Sequence, residues 1–135
     1  MTEPLRILVV DDNEDLLKTL SLVLKRSGFD VEMATDGYLA VDRYMQGDYN
    51  ITLMDVDMPG LNGIEALRLI REQDPAASVI LMTGHSDDDL IKLAIDEGAH
   101  CVLFKPMHID KILNTIKAAV PPLPDSNKDA KFILR

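Results

Sequence analysis

"LRILVVDDNEDLLKTLSLVLKRSG", residues 5–28, decides the fold. Leu5 to Val10 is an apolar, β-branched run that stops at Asp11, the pattern of a strand buried on both faces. From Glu14 to Arg26 the apolar residues Leu16, Leu17, Leu20, Val23 and Leu24 recur at helical spacing, and Gly28 ends the helix. The acids between the two elements raise a question that a second stretch repeats. "LMDVDMPG", residues 53–60, also stops an apolar run at an acid, places another acid two residues on, and turns at Met-Pro-Gly. Such carboxylates at a strand end suit a metal site, a nucleophile or only a polar rim.

The strand-then-helix cadence continues downstream. Strands are predicted near Phe29–Ala34, Ile51–Met54, Ser78–Met82 and His100–Phe104. Between them the pattern predicts a helix over Gly37–Met45 closed by Gly47, and one from about Gly63 to Glu72 capped by Asn62. A further helix is opened by Ser86 with Asp89 three residues later and ended by Gly98. The last runs from about Ile109 to Val120, with Ile109, Ile112, Leu113 and Ile116 on one face. Five strands alternating with five helices imply a parallel α/β sheet covered on both sides, because parallel crossovers require helices.

With 135 residues, 47% of them hydrophobic, the chain can bury one core, so residues 1–120 are expected to form a single domain. Residues 121–135, "PPLPDSNKDAKFILR", hold three of the seven prolines and read as a tail or a linker to a further output domain. Their apolar end, Phe132 to Leu134, fits either docking on the domain or the start of a second one. A formal charge of -9 repels a phosphate backbone and argues against direct nucleic-acid binding. The single Cys101 excludes an internal disulfide, and no segment has the ~20 apolar residues of a spanning helix. A cytoplasmic location is expected, with no membrane partner.

In open parallel sheets, ligands sit beyond the C-terminal strand ends where strand order reverses. Strand one ends at Asp11 and Asp12, strand three at Asp55 and strand four at Thr83, while strand five leads into Lys105. Three acids brought together repel by about 4 kcal/mol per pair at ~4 Å and an effective dielectric of ~20. A hard cation offsets this, and all-oxygen ligands suit Mg²⁺ better than zinc.

These residues resemble the receiver domain of two-component response regulators, chemotaxis regulators included. The resemblance covers residues 5 to about 120 and rests on "VVDDNE" (9–14), "LMDVDMPGLNG" (53–63), "LMTGH" (81–85) and "LFKP" (103–106), in order and at the family's spacing. It implies a flavodoxin-like (βα)5 sandwich with strand order 2-1-3-4-5. It further implies that Asp55 accepts a phosphoryl group from a phosphohistidine donor in a Mg²⁺-dependent reaction, with Mn²⁺ as an alternative ion. Asp12 then binds the metal directly, Asp11 acts mainly through a metal-bound water, and Asp57 offers its backbone carbonyl. Thr83 and Lys105 bind phosphoryl oxygens, and a cis bond precedes Pro106.

The implied partners are a sensor histidine kinase or a phosphotransfer protein and a downstream output protein or domain, with homodimer formation on phosphorylation. The implied role is a signalling switch, not an enzyme beyond its own phosphotransfer and dephosphorylation. Its output surface is the face of the fourth helix, fifth strand and fifth helix. One position departs from the family. Three residues before the lysine, receivers commonly carry an aromatic that swings inward with the threonine, and here Val102 stands there. That keeps open a phosphate relay or sink, or a phosphorylation-independent module.

Other residues have simpler readings. Asp87, Asp88 and Asp89 suit the first turn of a helix better than a second metal cluster. His85, two residues past Thr83, is either an exposed loop residue or a modulator of phosphate lifetime through water access. His108 flanks the last helix, His100 and Cys101 fill the strand, and Met54, Met58, Met82 and Met107, close to the site in sequence, are read as core fillers. Tyr38, Tyr44 and Tyr49 are expected to cover the second helix and its turn. Asp55-Val56-Asp57 is also similar to the Asp-x-Asp of haloacid-dehalogenase-like phosphatases, but Pro59 stands where those enzymes have Thr or Val. A flavin phosphate of an electron carrier would be repelled by "DDNED".

Overall fold

The computed structural model describes residues 4–85 and 87–119. Five strands and five helices alternate along it: β1 (Arg6–Val10), α1 (Glu14–Arg26), β2 (Asp30–Ala34), α2 (Gly37–Gln46), β3 (Ile51–Asp55), α3 (Gly63–Gln73), β4 (Val79–Thr83), α4 (Asp88–Asp96), β5 (Cys101–Phe104) and α5 (Ile109–Ala119). All neighbouring strands pair in parallel, in the order β2-β1-β3-β4-β5. This is the flavodoxin-like (βα)5 architecture. The order reverses between β1 and β3, so the crevice required of such sheets opens above those two strands.

Alternation along the buried strands sorts the core into two layers. On one face Leu8, Val10, Met54, Val79 and Leu81 pack against α2, α3 and α4 through Ala40, Leu67, Ile70 and Ala94. On the other, Ile7, Val9, Leu53, Ile80 and Met82 meet α1 and α5 through Leu17, Leu24, Ile112 and Ile116. Because every residue of β3 and β4 is buried, these central strands carry no polar alternation.

The element ends have local causes. β3 and β4 close on Asp55 and Thr83, the strand ends expected of them and one residue past their apolar runs, because Asp55 pairs with Met82 and Thr83 with Phe104 on the last rungs of the ladder. The cap of α4 is Asp87, whose side chain accepts from the Asp89 N–H; Ser86, expected to open this helix, lies outside the described residues. Asn62 caps α3 in a full capping box with Glu65. Gly98, at φ 103°, turns the chain out of α4, a conformation that favours glycine. Val120 and the expected tail 121–135 also lie outside the described residues.

Tyr44 is buried and donates to Asp74 Oδ2 at 2.6 Å, fastening α2 to the segment before β4. Its ring lies 6.1 Å from that of Tyr49, while Tyr38 is exposed. Among the described residues no helix is long and apolar enough to cross a membrane.

Candidate metal and phosphoryl site

Four strand ends supply the side chains that meet above the β1/β3 crevice. Asp11, directly after β1, is buried and is tied down by the Asn13 N–H, which donates to its Oδ1 at 2.9 Å. Asp55, the last residue of β3, is only 3% exposed. Asp12 is exposed beside them. One carboxylate oxygen from each of Asp11, Asp12 and Asp55 lies within 4.8 Å of the others. These are hard oxygen donors at a spacing a single divalent cation spans, with one acid facing solvent, so the set fits Mg²⁺.

Lys105, just past β5, enters the same cluster. Its Nζ is 2.9 Å from Asp11 Oδ2 and 3.4 Å from Asp55 Oδ1. The peptide bond from Lys105 to Pro106 is cis, as expected. Burial raises the Asp55 carboxyl to about 6, against the pull of Lys105 and with a further push from Asp11. Burial alone would lower Lys105, yet its hydrogen bond to Asp11 and the charge of Asp55 leave it raised. The ammonium therefore stays charged while the nucleophile candidate is poised near neutrality.

Thr83, the last residue of β4, is fully buried. Its Oγ1 donates to Asp57 Oδ2 at 3.0 Å and accepts from the His85 N–H at 3.1 Å. The same Asp57 oxygen accepts from the Gly84 N–H at 3.4 Å, and the Asp57 N–H donates to Asp55 Oδ1 at 3.2 Å. His85 is exposed, with Nε2 at 3.7 Å from Asp57 Oδ1. The carboxylate of Asp57 thus engages Thr83 and the loop behind it. From the sequence only the backbone carbonyl of Asp57 is expected to act, so this use of its side chain is an addition.

Gly63 shows why the turn after β3 is tight: a Cβ there would collide with the Asp55 carbonyl oxygen. Val102 is half-buried and packs against the α2–α4 side of the core, whereas Phe104, paired with Thr83 across the sheet, is 44% exposed. His108 accepts the Lys111 and Ile112 N–H groups on its carbonyl at the start of α5. Asp88 and Asp89 are exposed in the first turn of α4. A groove of about 530 Å³ between α1 and the start of α5 is lined by Leu16, Leu20, Val23, Met107 and Ile112. It shares Lys105 with the site but has apolar walls.

The sequence pattern of the response regulator receiver domain matches residues 7–117. The chain belongs to that family. This receiver domain is 35% identical over 114 residues to the uncharacterized transcriptional regulatory protein YkoG of Bacillus subtilis, covering 84% of this chain and 50% of the relative. It is 30% identical over 122 residues to the response regulator ArlR of Staphylococcus saprophyticus, covering 90% and 55% respectively. The chain spans about half the length of these curated relatives. Among solved structures, the CheX-CheY-BeF3-Mg complex from Borrelia burgdorferi matches with a TM-score of 0.81 and 30% identity, over 85% of this chain and 88% of that one.

Proposed function

We propose that this receiver domain is a phosphoacceptor switch that takes a phosphoryl group from a histidine kinase or a phosphotransfer protein onto Asp55. The observation that carries the reading is the placement of Asp55: nearly buried, on the last rung of β3, sharing Lys105 with Asp11 and within ligand range of Asp12. Asp11, Asp12, Asp55 and the Asp57 backbone carbonyl would hold Mg²⁺, with Mn²⁺ as an alternative. Bound there, the ion neutralises the site and the equatorial oxygens of the transferring group.

The chain's own residues do the rest. An oxygen of Asp55 bonds to phosphorus as the phosphorus–nitrogen bond of the donor breaks, and that electron pair leaves on the imidazole. Lys105 moves from its carboxylate partners to a phosphoryl oxygen, and the Thr83 hydroxyl donates to another. No separate general base is needed, so the domain acts on its own aspartate and is not an enzyme for a free substrate. Output would pass to a partner protein, to an output domain or to a second copy through the face of α4, β5 and α5. A relay or sink is the second reading, favoured by Val102, which lacks an aromatic ring to turn inward with Thr83.

Incubation with Mg²⁺ and a small acyl phosphate, followed by intact mass and amide spectra, tests the proposal. The expected result is a single labile adduct, absent in Asp55→Asn, with beryllofluoride shifting resonances from Thr83 toward α4. Lack of any adduct sinks the switch. An adduct whose spectral changes stop at the site favours the relay.

A further inference from the structure

We propose that the Asp57 carboxylate is a positioning residue that holds Thr83 and the loop after β4 in the resting place, and gives them up when a phosphoryl group claims Thr83. The inference rests on the phosphoacceptor reading of Asp55. The Thr83 hydroxyl carries a single donor proton. At rest that proton goes to Asp57 Oδ2 at 3.0 Å. A phosphoryl oxygen on Asp55 and the carboxylate of Asp57 therefore compete for the same donor.

The contacts around this bond extend the competition to the loop. Gly84 donates its N–H to the oxygen that holds Thr83, and the His85 N–H is held by Thr83 Oγ1. Asp57 also donates its own N–H to Asp55 Oδ1, so one residue bridges the nucleophile to the end of β4 at Thr83 and to Gly84 and His85 in the loop after it. When the Thr83 proton turns to phosphate, Asp57 loses its side-chain donor and faces a new negative charge. Repulsion drives the carboxylate outward, toward the exposed His85 imidazole 3.7 Å away, and the Gly84 contact goes with it. The site thereby moves its loop without the aromatic rotation that Val102 cannot make.

Amide spectra without phosphodonor test the hold itself, on wild type, Asp57→Ala, Thr83→Val and the double variant. Each single variant should displace the Gly84 and His85 signals. In the Thr83→Val background, Asp57→Ala should keep less than roughly half of its effect, as expected for two ends of one bond. Additive displacements overturn the proposal.

Beryllofluoride titration supplies the second arm. Asp57→Ala should bind it about tenfold more tightly, the value of one hydrogen bond to a charged group. Asp57→Asn removes the charge but keeps an acceptor oxygen, so its gain should be clearly smaller. Equal gains mean that charge alone acts, and the proposal fails. A wild-type protein that takes no beryllofluoride sinks the phosphoacceptor reading only, because the amide comparison is made without it.

Discussion

Asp55 lies under two opposed pressures, desolvation raising its carboxyl and Lys105 lowering it, and burial wins, leaving it at about 6. An unfolded aspartate titrates near ~3.9. The folded state therefore binds this proton more tightly than the unfolded state does, so stability falls as pH rises from ~4 to ~6 and the full cost persists above that window. Without metal, Asp55→Asn should be more stable than wild type at pH 8 by up to about 3 kcal/mol, and no different near pH 4. Urea unfolding in chelator at the two pH values checks this, and an equal gain at both would contradict it.

The residues of the site were legible because each one ends an apolar run, and a strand end is marked in sequence by where its hydrophobicity stops. Asp57 was not legible in the same way. Its carboxylate bonds to Thr83, 26 positions on, after a turn whose direction no periodicity encodes. The distinction between a backbone ligand and a side-chain hold depends on that turn alone.

At the scale of elements, the loop after β3 is fixed from both ends. Gly63 packs on the Asp55 carbonyl, and the Asn62 side chain accepts the Ile64 and Glu65 N–H groups at 2.9 Å while Glu65 returns a bond to the Asn62 N–H at 3.0 Å. Asn62→Ala should cost about 1 kcal/mol of folding stability, measured by denaturant midpoint at unchanged m-value. A loss near zero would mean that the turn is held by Gly63 packing instead. Helix interiors were easy to read, since α1 spans Glu14–Arg26 as its stripe predicts. Whether the polar residue that closes an apolar run still pairs on the ladder was less legible, because the backbone bonding that includes Asp55 and Thr83 is indifferent to side-chain polarity.

Across the whole molecule, the acids that meet at the crevice belong to a chain of formal charge -9. A divalent cation that binds only the folded state stabilises it by mass action, by ~2.7 kcal/mol at a hundredfold excess over its dissociation constant. Calorimetry in MgCl2 should show the melting temperature rising by several degrees beyond a KCl control of equal ionic strength. Asp12→Asn should remove most of that difference, and an undiminished rise would move the ion elsewhere. The parallel order 2-1-3-4-5 was an expectation of the family resemblance more than of the periodicity. Apolar runs say that strands are buried, but not which strands are neighbours.

The contact between Lys105 and Asp11 joins positions 94 residues apart, the first strand to the last. A nascent chain emerging from the ribosome would carry all three acids long before its ammonium, and the acids would meet that group only once β5 had closed the sheet. Fragments and stalled chains would thus hold an aspartate without its partner cation. Docking of β5 therefore also settles the charge at the end of β1, and the sheet's last strand pairing and the site's ion pairs form together.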